Sequence, residues 1–153
     1  MKYTIEIELD LPRDRVIELF DSSENLYKWQ EGLQSFDHAS GEPGQPGAIS
    51  NLVFQIGKRR IEMTETITER NLPDEFNGTY DCKGCHNIVK NRFIELGSDK
   101  TKWESENVFR FSGIMRFIAP LMKGVFRKQS MKYLRAFKAF AEEGVDVNAA
   151  TSE

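Results

Sequence analysis

The sequence predicts an α+β domain in which a curved antiparallel sheet of about seven strands wraps around one long C-terminal helix. Three observations predict it. Residues 33–112 consist of short alternating stretches separated by turn residues, which is typical of an antiparallel meander. Residues 114–143 have apolar residues at helical spacing, and two short helical stretches follow the first strand. Because one face of the sheet must be covered, the long helix is the element expected to cover it.

The N-terminal part supplies the first strand and the two short helices. Apolar and polar residues alternate from residue 3 to residue 10, which indicates a strand with one buried face. Pro12 suits the first turn of a helix over 13–20. Ser22 or Ser23 can cap a second helix that ends near Gly32.

The middle of the chain is predicted to consist of strands joined by tight turns. Glycine and proline are dense at 41–47, and further turn residues stand at 57–59, 71–74, 83–84 and 97–99. The strands predicted between them cover residues 49–56, 61–68, 76–82, 86–96 and 102–111.

The C-terminal part is predicted to be one long amphipathic helix over 114–143, with a kink or a separate first turn at Pro120. Gly144 is suited to end it. The last nine residues show no pattern, so we expect a disordered tail. The chain is thus divided into one domain over 1–144 and a tail over 145–153.

Composition favours a single globular domain and excludes several functions. The chain has 153 residues, a 39% apolar fraction and eleven phenylalanines. The net charge is −3 with both signs interspersed, so no nucleic-acid binding is expected. The N-terminus lacks the pattern of a signal peptide, and no stretch approaches the ~20 apolar residues of a membrane span. We therefore expect a cytoplasmic protein with reduced cysteines.

Several short motifs, in this order of elements, resemble a known family. They are residues 16–20 (VIELF), 26–33 (LYKWQEGL), 41–47 (GEPGQPG), 63–67 (MTETI) and 134–138 (LRAFK). Together they resemble the START-related, birch-pollen-allergen-like superfamily, also called SRPBCC, and within it the polyketide cyclase and lipid-transport-like branch. The resemblance covers roughly residues 2–143. It implies a helix-grip fold, and members of that family bind lipids, sterols, polyketides or other apolar molecules, while some are cyclases.

A strongly curved sheet does not close tightly on a single helix, so a cavity between the two is expected, and such apolar cavities are the usual binding sites of a domain. The predicted function is therefore binding of a small hydrophobic molecule such as a lipid or polyketide by a monomer or homodimer, and transport of that molecule is an open extension of this prediction. Alternation and helical spacing predict the residues that line the cavity. They are Phe54, Met63, Glu65, Phe76, Tyr80, Asn91, Phe93, Trp103, Asn107, Phe109, Phe117 and Leu121.

Among these, Glu65, Asn91 and Asn107 are polar residues on otherwise apolar faces. A desolvated Glu65 would have a raised pKa and could move a proton, and His38 is a weaker candidate. The alternative function is therefore a cyclase or dehydratase type of enzyme. Against it, a strand bulge would turn Glu65 to solvent, or Glu65 could pair with Arg60 or Arg92 at the rim. A further alternative is an interaction module of the heat-shock-ATPase-activator type, with a filled interior.

The sequence Cys82-Lys83-Gly84-Cys85-His86 matches the C-x-x-C-H pattern of covalent haem attachment. It lies at a strand–turn–strand junction, where Lys-Gly reads as a hairpin turn. A zinc site would need four ligands, and only a distant His38 could be the fourth. The remaining interpretations are a redox disulfide across the hairpin or two incidental thiols. We predict neither a cofactor nor a metal.

The segment 114–122 is apolar on nearly all sides, so three interpretations stay open. It can be ordinary core, or a lid or floor of the cavity in which Met115 and Met122 adapt to the ligand. If it is exposed, the neighbouring Arg116, Lys123, Arg127 and Lys128 allow transient contact with a membrane surface.

Overall fold

The structure is a computed structural model and describes residues 1–149. The chain begins with β1 (Lys2–Leu9), α1 (Arg13–Phe20) and α2 (Ser23–Trp29). The strands that follow are β2 (Leu33–Ser40), β3 (Ile49–Ile56), β4 (Arg59–Asn71), β5 (Glu75–Cys82), β6 (Cys85–Gly97) and β7 (Lys100–Phe111). Last come α3 (Met115–Ile118), a 3₁₀ turn (Ala119–Met122) and α4 (Lys123–Glu143).

The seven strands form one antiparallel sheet in the order β1-β7-β6-β5-β4-β3-β2. The strands from β2 to β7 are therefore a continuous meander, and β1 adds to its far side by pairing with β7. The predicted helix-grip fold is confirmed: seven curved antiparallel strands, two short helices after the first strand, and a long C-terminal helix. Within residues 1–149, no helix is long and apolar enough to cross a membrane.

The C-terminal half of α4 is fixed to the sheet by aromatic packing. Phe137 is fully buried, and its ring centroid lies 5.3 Å from that of Trp103 and 5.2 Å from that of Trp29, both edge to face. Phe20 at the end of α1 packs on the same group. Such pairs stabilise the fold by about 0.5–1.5 kcal/mol each beyond the area they bury. This half of the helix therefore leaves no room for a ligand.

The predicted helix over 114–143 is divided into three pieces around Pro120. Proline has no backbone N–H and its ring clashes with the preceding turn, so the helix is interrupted there. The chain forms α3, then the 3₁₀ turn that contains Pro120, and α4 begins only at Lys123. At the other end, Gly144 adopts φ 70° and its N–H donates to the Phe140 carbonyl oxygen at 2.9 Å, which confirms the predicted cap.

The prediction of a disordered tail from residue 145 is wrong for 145–149; residues 150–153 lie outside the described part of the chain. The Asn148 Nδ2 donates to the carbonyl oxygens of Tyr27 (2.6 Å) and Gln30 (3.0 Å). Its Oδ1 accepts from the Gly32 N–H at 2.9 Å. The end of a helix leaves backbone groups without hydrogen-bond partners. Here the Asn148 side chain bonds to three such backbone groups at and just after the end of α2.

Candidate ligand cavity

A cavity of about 1540 Å³ lies between the concave face of the sheet and the N-terminal half of α4, and it opens to solvent. Helix residues on its wall include Phe126, Ser130 and Tyr133. Ligand pockets usually measure roughly 300–1,000 Å³, so this cavity can accept a molecule at the upper end of that range or larger. Besides Phe137, α4 contacts the sheet near its N-terminal end through Phe126, whose ring centroid lies 5.2 Å from that of Phe109 on β7. The cavity lies beside these contacts and extends across the sheet to residues of β2.

A row of polar side chains crosses the cavity wall from strand to strand. The sheet register pairs His38 with Ser50, Ser50 with Glu65, Glu65 with Tyr80, and Tyr80 with Asn87. All five residues line the cavity, and we call them the polar row. Directly opposed residues in antiparallel strands have Cβ atoms about 4.5–5.5 Å apart, so the row presents polar groups at regular intervals.

Glu65 is the carboxylic acid of the row. It is 9% exposed, and desolvation raises the pKa of its carboxyl, while a hydrogen bond from Tyr80 partly opposes that shift. Burial raises the pKa of Tyr80 well above its ordinary value, and the neighbouring Glu65 raises it further. Tyr80 is therefore a neutral phenol at physiological pH. The pair can donate or accept hydrogen bonds, and Glu65 can hold a proton at a higher pH than an exposed glutamate.

Asn87 carries an unsatisfied acceptor at the end of the polar row. Its Oδ1 atom is buried and has no hydrogen-bond partner among residues 1–149. Buried polar atoms are satisfied in the large majority of cases, so an orphan acceptor next to a cavity favours a donor supplied by water or by a ligand.

Two further asparagines line the cavity but are engaged with protein partners. The Asn91 Oδ1 accepts from the Trp103 indole Nε1–H at 2.9 Å, and both residues are buried. The Asn107 Nδ2 donates to the Ser105 Oγ at 3.2 Å on the same strand. Asn91 therefore orients the indole ring of Trp103 on the wall, and its acceptor atom is already occupied.

Comparisons with known proteins agree with this architecture. No family model and no curated protein matches the sequence. Among solved structures, the Zhui aromatase/cyclase from a Streptomyces species has a TM-score of 0.77 at 15% identity, covering 98% of this chain and 97% of that one. A START superfamily protein from Mycobacterium smegmatis has a TM-score of 0.77 at 11% identity, covering 93% and 97%. The chain has the START-related (SRPBCC) fold.

A conserved protein from Geobacillus kaustophilus is also similar, with a TM-score of 0.79 at 14% identity over 95% of this chain and 97% of that one. At these identities the START-related fold is what is shared. One fold hosts many functions, so the function of this chain must be argued from its own cavity.

Nine of the twelve residues predicted for the site lie on the cavity wall of this START-related fold. They are Phe54, Met63, Glu65, Phe76, Tyr80, Asn91, Trp103, Asn107 and Phe109. That they bind a ligand stays a prediction.

The predicted positions of Phe93, Phe117 and Leu121 on the cavity wall are wrong. Phe93 is 1% exposed and lies deep in the aromatic group, with its ring centroid 4.9 Å from that of Phe20. Phe117 and Leu121 are 74% and 88% exposed. The interruption at Pro120 turns these two side chains outward, which continuous helical spacing could not foresee.

The alternative that Glu65 pairs with an arginine at the rim is also wrong. Arg60 donates to Glu62 at 3.1 Å, and Arg92 lies 3.9 Å from Glu104. His38 does line the cavity at its exposed edge, where its Nε2 lies 2.7 Å from the Gly41 carbonyl oxygen.

Ser50 and Asn87 are members of the polar row that the sequence prediction omitted. Ser50 shares one face of β3 with Leu52 and Phe54, and Asn87 shares one face of β6 with Val89 and Asn91, because residues two apart in a strand point to the same side. The same alternation that identified Glu65 could have identified both. Their alignment with Glu65 could not be read from single strands, because it depends on the pairing register.

Cys82 and Cys85 face each other across the β5–β6 hairpin, are free thiols, and line the cavity. A hydrogen bond from Cys85 lowers the pKa of Cys82 to about 7, while the pKa of Cys85 is raised. His86 and Asp81 are a cross-strand pair one residue further along each strand, so they lie on the opposite face of the sheet, where they bond to each other. The two thiols and the imidazole therefore do not converge on one point as a metal or haem site requires.

Proposed function

We propose that this chain binds a small, mainly apolar molecule that carries several hydroxyl or carbonyl groups, in the cavity between the sheet and α4. The observation that carries the proposal is the polar row, which crosses an otherwise largely apolar wall in a cavity of about 1540 Å³. Burial of apolar surface supplies most of the affinity in such a site, and a few polar groups fix the orientation.

The chemistry of the polar row favours a neutral, oxygenated ligand over a plain hydrocarbon chain. The neutral Tyr80 phenol can donate to ligand oxygens, while Glu65, whose pKa burial raises, accepts from ligand hydroxyls when ionised and donates to ligand oxygens when protonated. The buried Asn87 Oδ1 has no partner among residues 1–149, and leaving it unpaired beside a purely apolar ligand would cost about 1–3 kcal/mol. A polyketide-like molecule meets this requirement better than a saturated acyl chain, and the likeness to an aromatase/cyclase is consistent with it.

Native mass spectrometry of the protein from its own host, followed by extraction and identification of the bound species, tests the proposal. The informative variant is Ser50→Trp, which places an indole inside the cavity beside Glu65. The matched control is Asn51→Trp, because Asn51 is the next residue on β3 and is exposed on the opposite face.

We expect wild type and Asn51→Trp to carry the same small molecule and Ser50→Trp to lose it, with the thermal midpoints of both variants showing that they are folded. Wild-type protein that carries nothing and does not increase the fluorescence of anilinonaphthalene sulfonate would contradict the proposal. So would a folded Ser50→Trp variant that retains its ligand.

A second candidate function, proton transfer to or from the bound molecule, is favoured by one observation: a buried carboxyl with a raised pKa is hydrogen-bonded to a phenol inside the cavity. A carboxyl whose pKa is raised can act as a general acid or base at a higher pH than an exposed glutamate can. Glu65→Gln has nearly the same volume but cannot exchange a proton in this way. If conversion of the identified ligand survives in Glu65→Gln, Glu65 has no catalytic role. The open cavity counts against the remaining hypothesis for the function, which is an interaction module with a filled interior.

A further inference from the structure

A cluster of exposed apolar side chains lies where α3, the 3₁₀ turn and α4 meet. Within residues 1–149, nine large hydrophobic side chains are exposed, and five of them fall between residues 114 and 125. We call these five the apolar tip: Ile114, Phe117, Ile118, Leu121 and Val125. Single exposed apolar residues are ordinary on a protein surface, but a concentration of this kind marks a surface that contacts something else.

The apolar tip lies in the most basic part of the chain. Residues 107–141 contain eight lysines and arginines and no acidic residue, although acidic residues outnumber basic ones in the whole chain, 24 to 21. Four of these cations are exposed, stand among or directly after the tip residues, and form no salt bridge within residues 1–149. They are Arg116, Lys123, Arg127 and Lys128.

The combination of exposed apolar side chains and unpaired cations selects the kind of partner. Nucleic acid would meet the cations but would not bury five apolar side chains. An anionic lipid surface suits both the cations and the apolar side chains, because its headgroups attract lysine and arginine while its acyl region accepts phenylalanine and leucine.

The same segment forms part of the cavity wall on its inner side. Met115, Met122 and Val125 line the cavity, and the fully buried Ala119 holds the segment against the rest of the domain. A surface that touches the apolar tip would therefore lie against the wall of the ligand cavity.

We propose that residues 114–128 dock onto an anionic membrane surface, with the apolar tip inserted between headgroups and Arg116, Lys123, Arg127 and Lys128 in contact with lipid phosphates. Docking of this kind requires no bound ligand. Exchange of a ligand between bilayer and cavity would be a consequence that rests on the proposed function.

Sedimentation of the full chain with lipid vesicles tests the docking. One set of vesicles is phosphatidylcholine alone, and the other contains about one-third phosphatidylglycerol, each at about 0.1 M and about 1 M salt. The apolar variant is Phe117→Ser combined with Leu121→Ser, and its matched control is Leu96→Ser, at an exposed leucine on β6. The charge variant is Lys123→Gln, and its control is Lys58→Gln in the β3–β4 turn.

We expect binding to the anionic vesicles that is much weaker with phosphatidylcholine alone. The apolar variant should lower the partition coefficient at least about tenfold, because it removes the two most exposed tip residues. Lys123→Gln should lower it about fivefold at the lower salt concentration and have little effect at the higher one. The two control variants should bind as wild type does.

Absence of binding to anionic vesicles, or equal binding to both vesicle types, would overturn the proposal. So would a dimer in sedimentation equilibrium that dissociates in the Phe117→Ser and Leu121→Ser variant, because the apolar tip would then be covered by a second copy of the chain. Ser50→Trp, which blocks the cavity, should still bind vesicles. Failure of the ligand-binding proposal would therefore leave the docking result intact.

Discussion

Replacing Asn91 with alanine removes the acceptor of the Trp103 indole N–H, a hydrogen bond of 2.9 Å between two buried side chains. Leaving that donor unsatisfied should lower the free energy of unfolding by about 1–3 kcal/mol. The backbone N–H of Asn91 keeps its bond to the Asn77 Oδ1, and the side chain borders an existing cavity, so little further cost is expected. For a domain of this size, about 2 kcal/mol corresponds to a fall of roughly 4–8 °C in thermal midpoint.

A double-mutant cycle of Asn91→Ala and Trp103→Phe, followed by urea unfolding, isolates this interaction from the aromatic contacts that Trp103→Phe also changes. We expect a coupling free energy of about 1 kcal/mol or more, in protein freed of ligand. Asn51→Ala, at an exposed position on β3, should change stability by less than about 0.5 kcal/mol. A coupling indistinguishable from zero would refute the assignment of Asn91 as the group that orients Trp103.

Three further predictions follow from the buried groups. Because the raised pKa means that folded Glu65 holds its proton more tightly than unfolded Glu65, its contribution to stability is greatest in acid and declines as pH rises through the folded pKa. Glu65→Gln should therefore gain stability relative to wild type between about pH 4 and about pH 8 in urea unfolding, whereas a constant difference would contradict the burial argument. Alkylation of Cys82 by iodoacetamide should rise with a midpoint near pH 7, since only the thiolate reacts, and Cys85→Ala should move that midpoint upward; an unchanged midpoint would exclude the thiol–thiol hydrogen bond. Phe137→Ala should cost about 3–5 kcal/mol in chemical unfolding, and a loss below about 1 kcal/mol would show that the aromatic group is not what fixes α4.

The order of elements could be predicted because each element depends on its own local pattern. Alternation identified the strands and helical spacing identified the last helix, since both periodicities follow from backbone geometry alone. The ends of the long strands were harder to predict from the sequence: β4 was expected over 61–68 but covers Arg59–Asn71. Its pairing with β5 shifts register between Ile67 and Glu69, and a bulge of this kind continues the strand where alternation alone would end it.

The segment 114–125 shows why the rest could not be predicted. Its residues are apolar on nearly every side, so periodicity cannot choose which of them face inward. The facing depends on how the short pieces on either side of the break at Pro120 pack, and this packing buries Ala119 and exposes Phe117 and Leu121. The hydrogen bonds of Asn148 to the end of α2 could not be predicted for a different reason, since its three partners lie more than 110 positions away in the sequence.

The polar row crosses the strands, with one member contributed by each of five neighbouring strands. Its spacing is therefore set by the main-chain hydrogen bonds of the sheet, and replacing one member leaves the positions of the other four unchanged. Under the proposed function, a descendant of this protein could exchange Ser50 or Asn87 and change the pattern of ligand oxygens that it binds, without a change in the sheet behind them. Ligand preference in such a sheet can diverge one strand at a time.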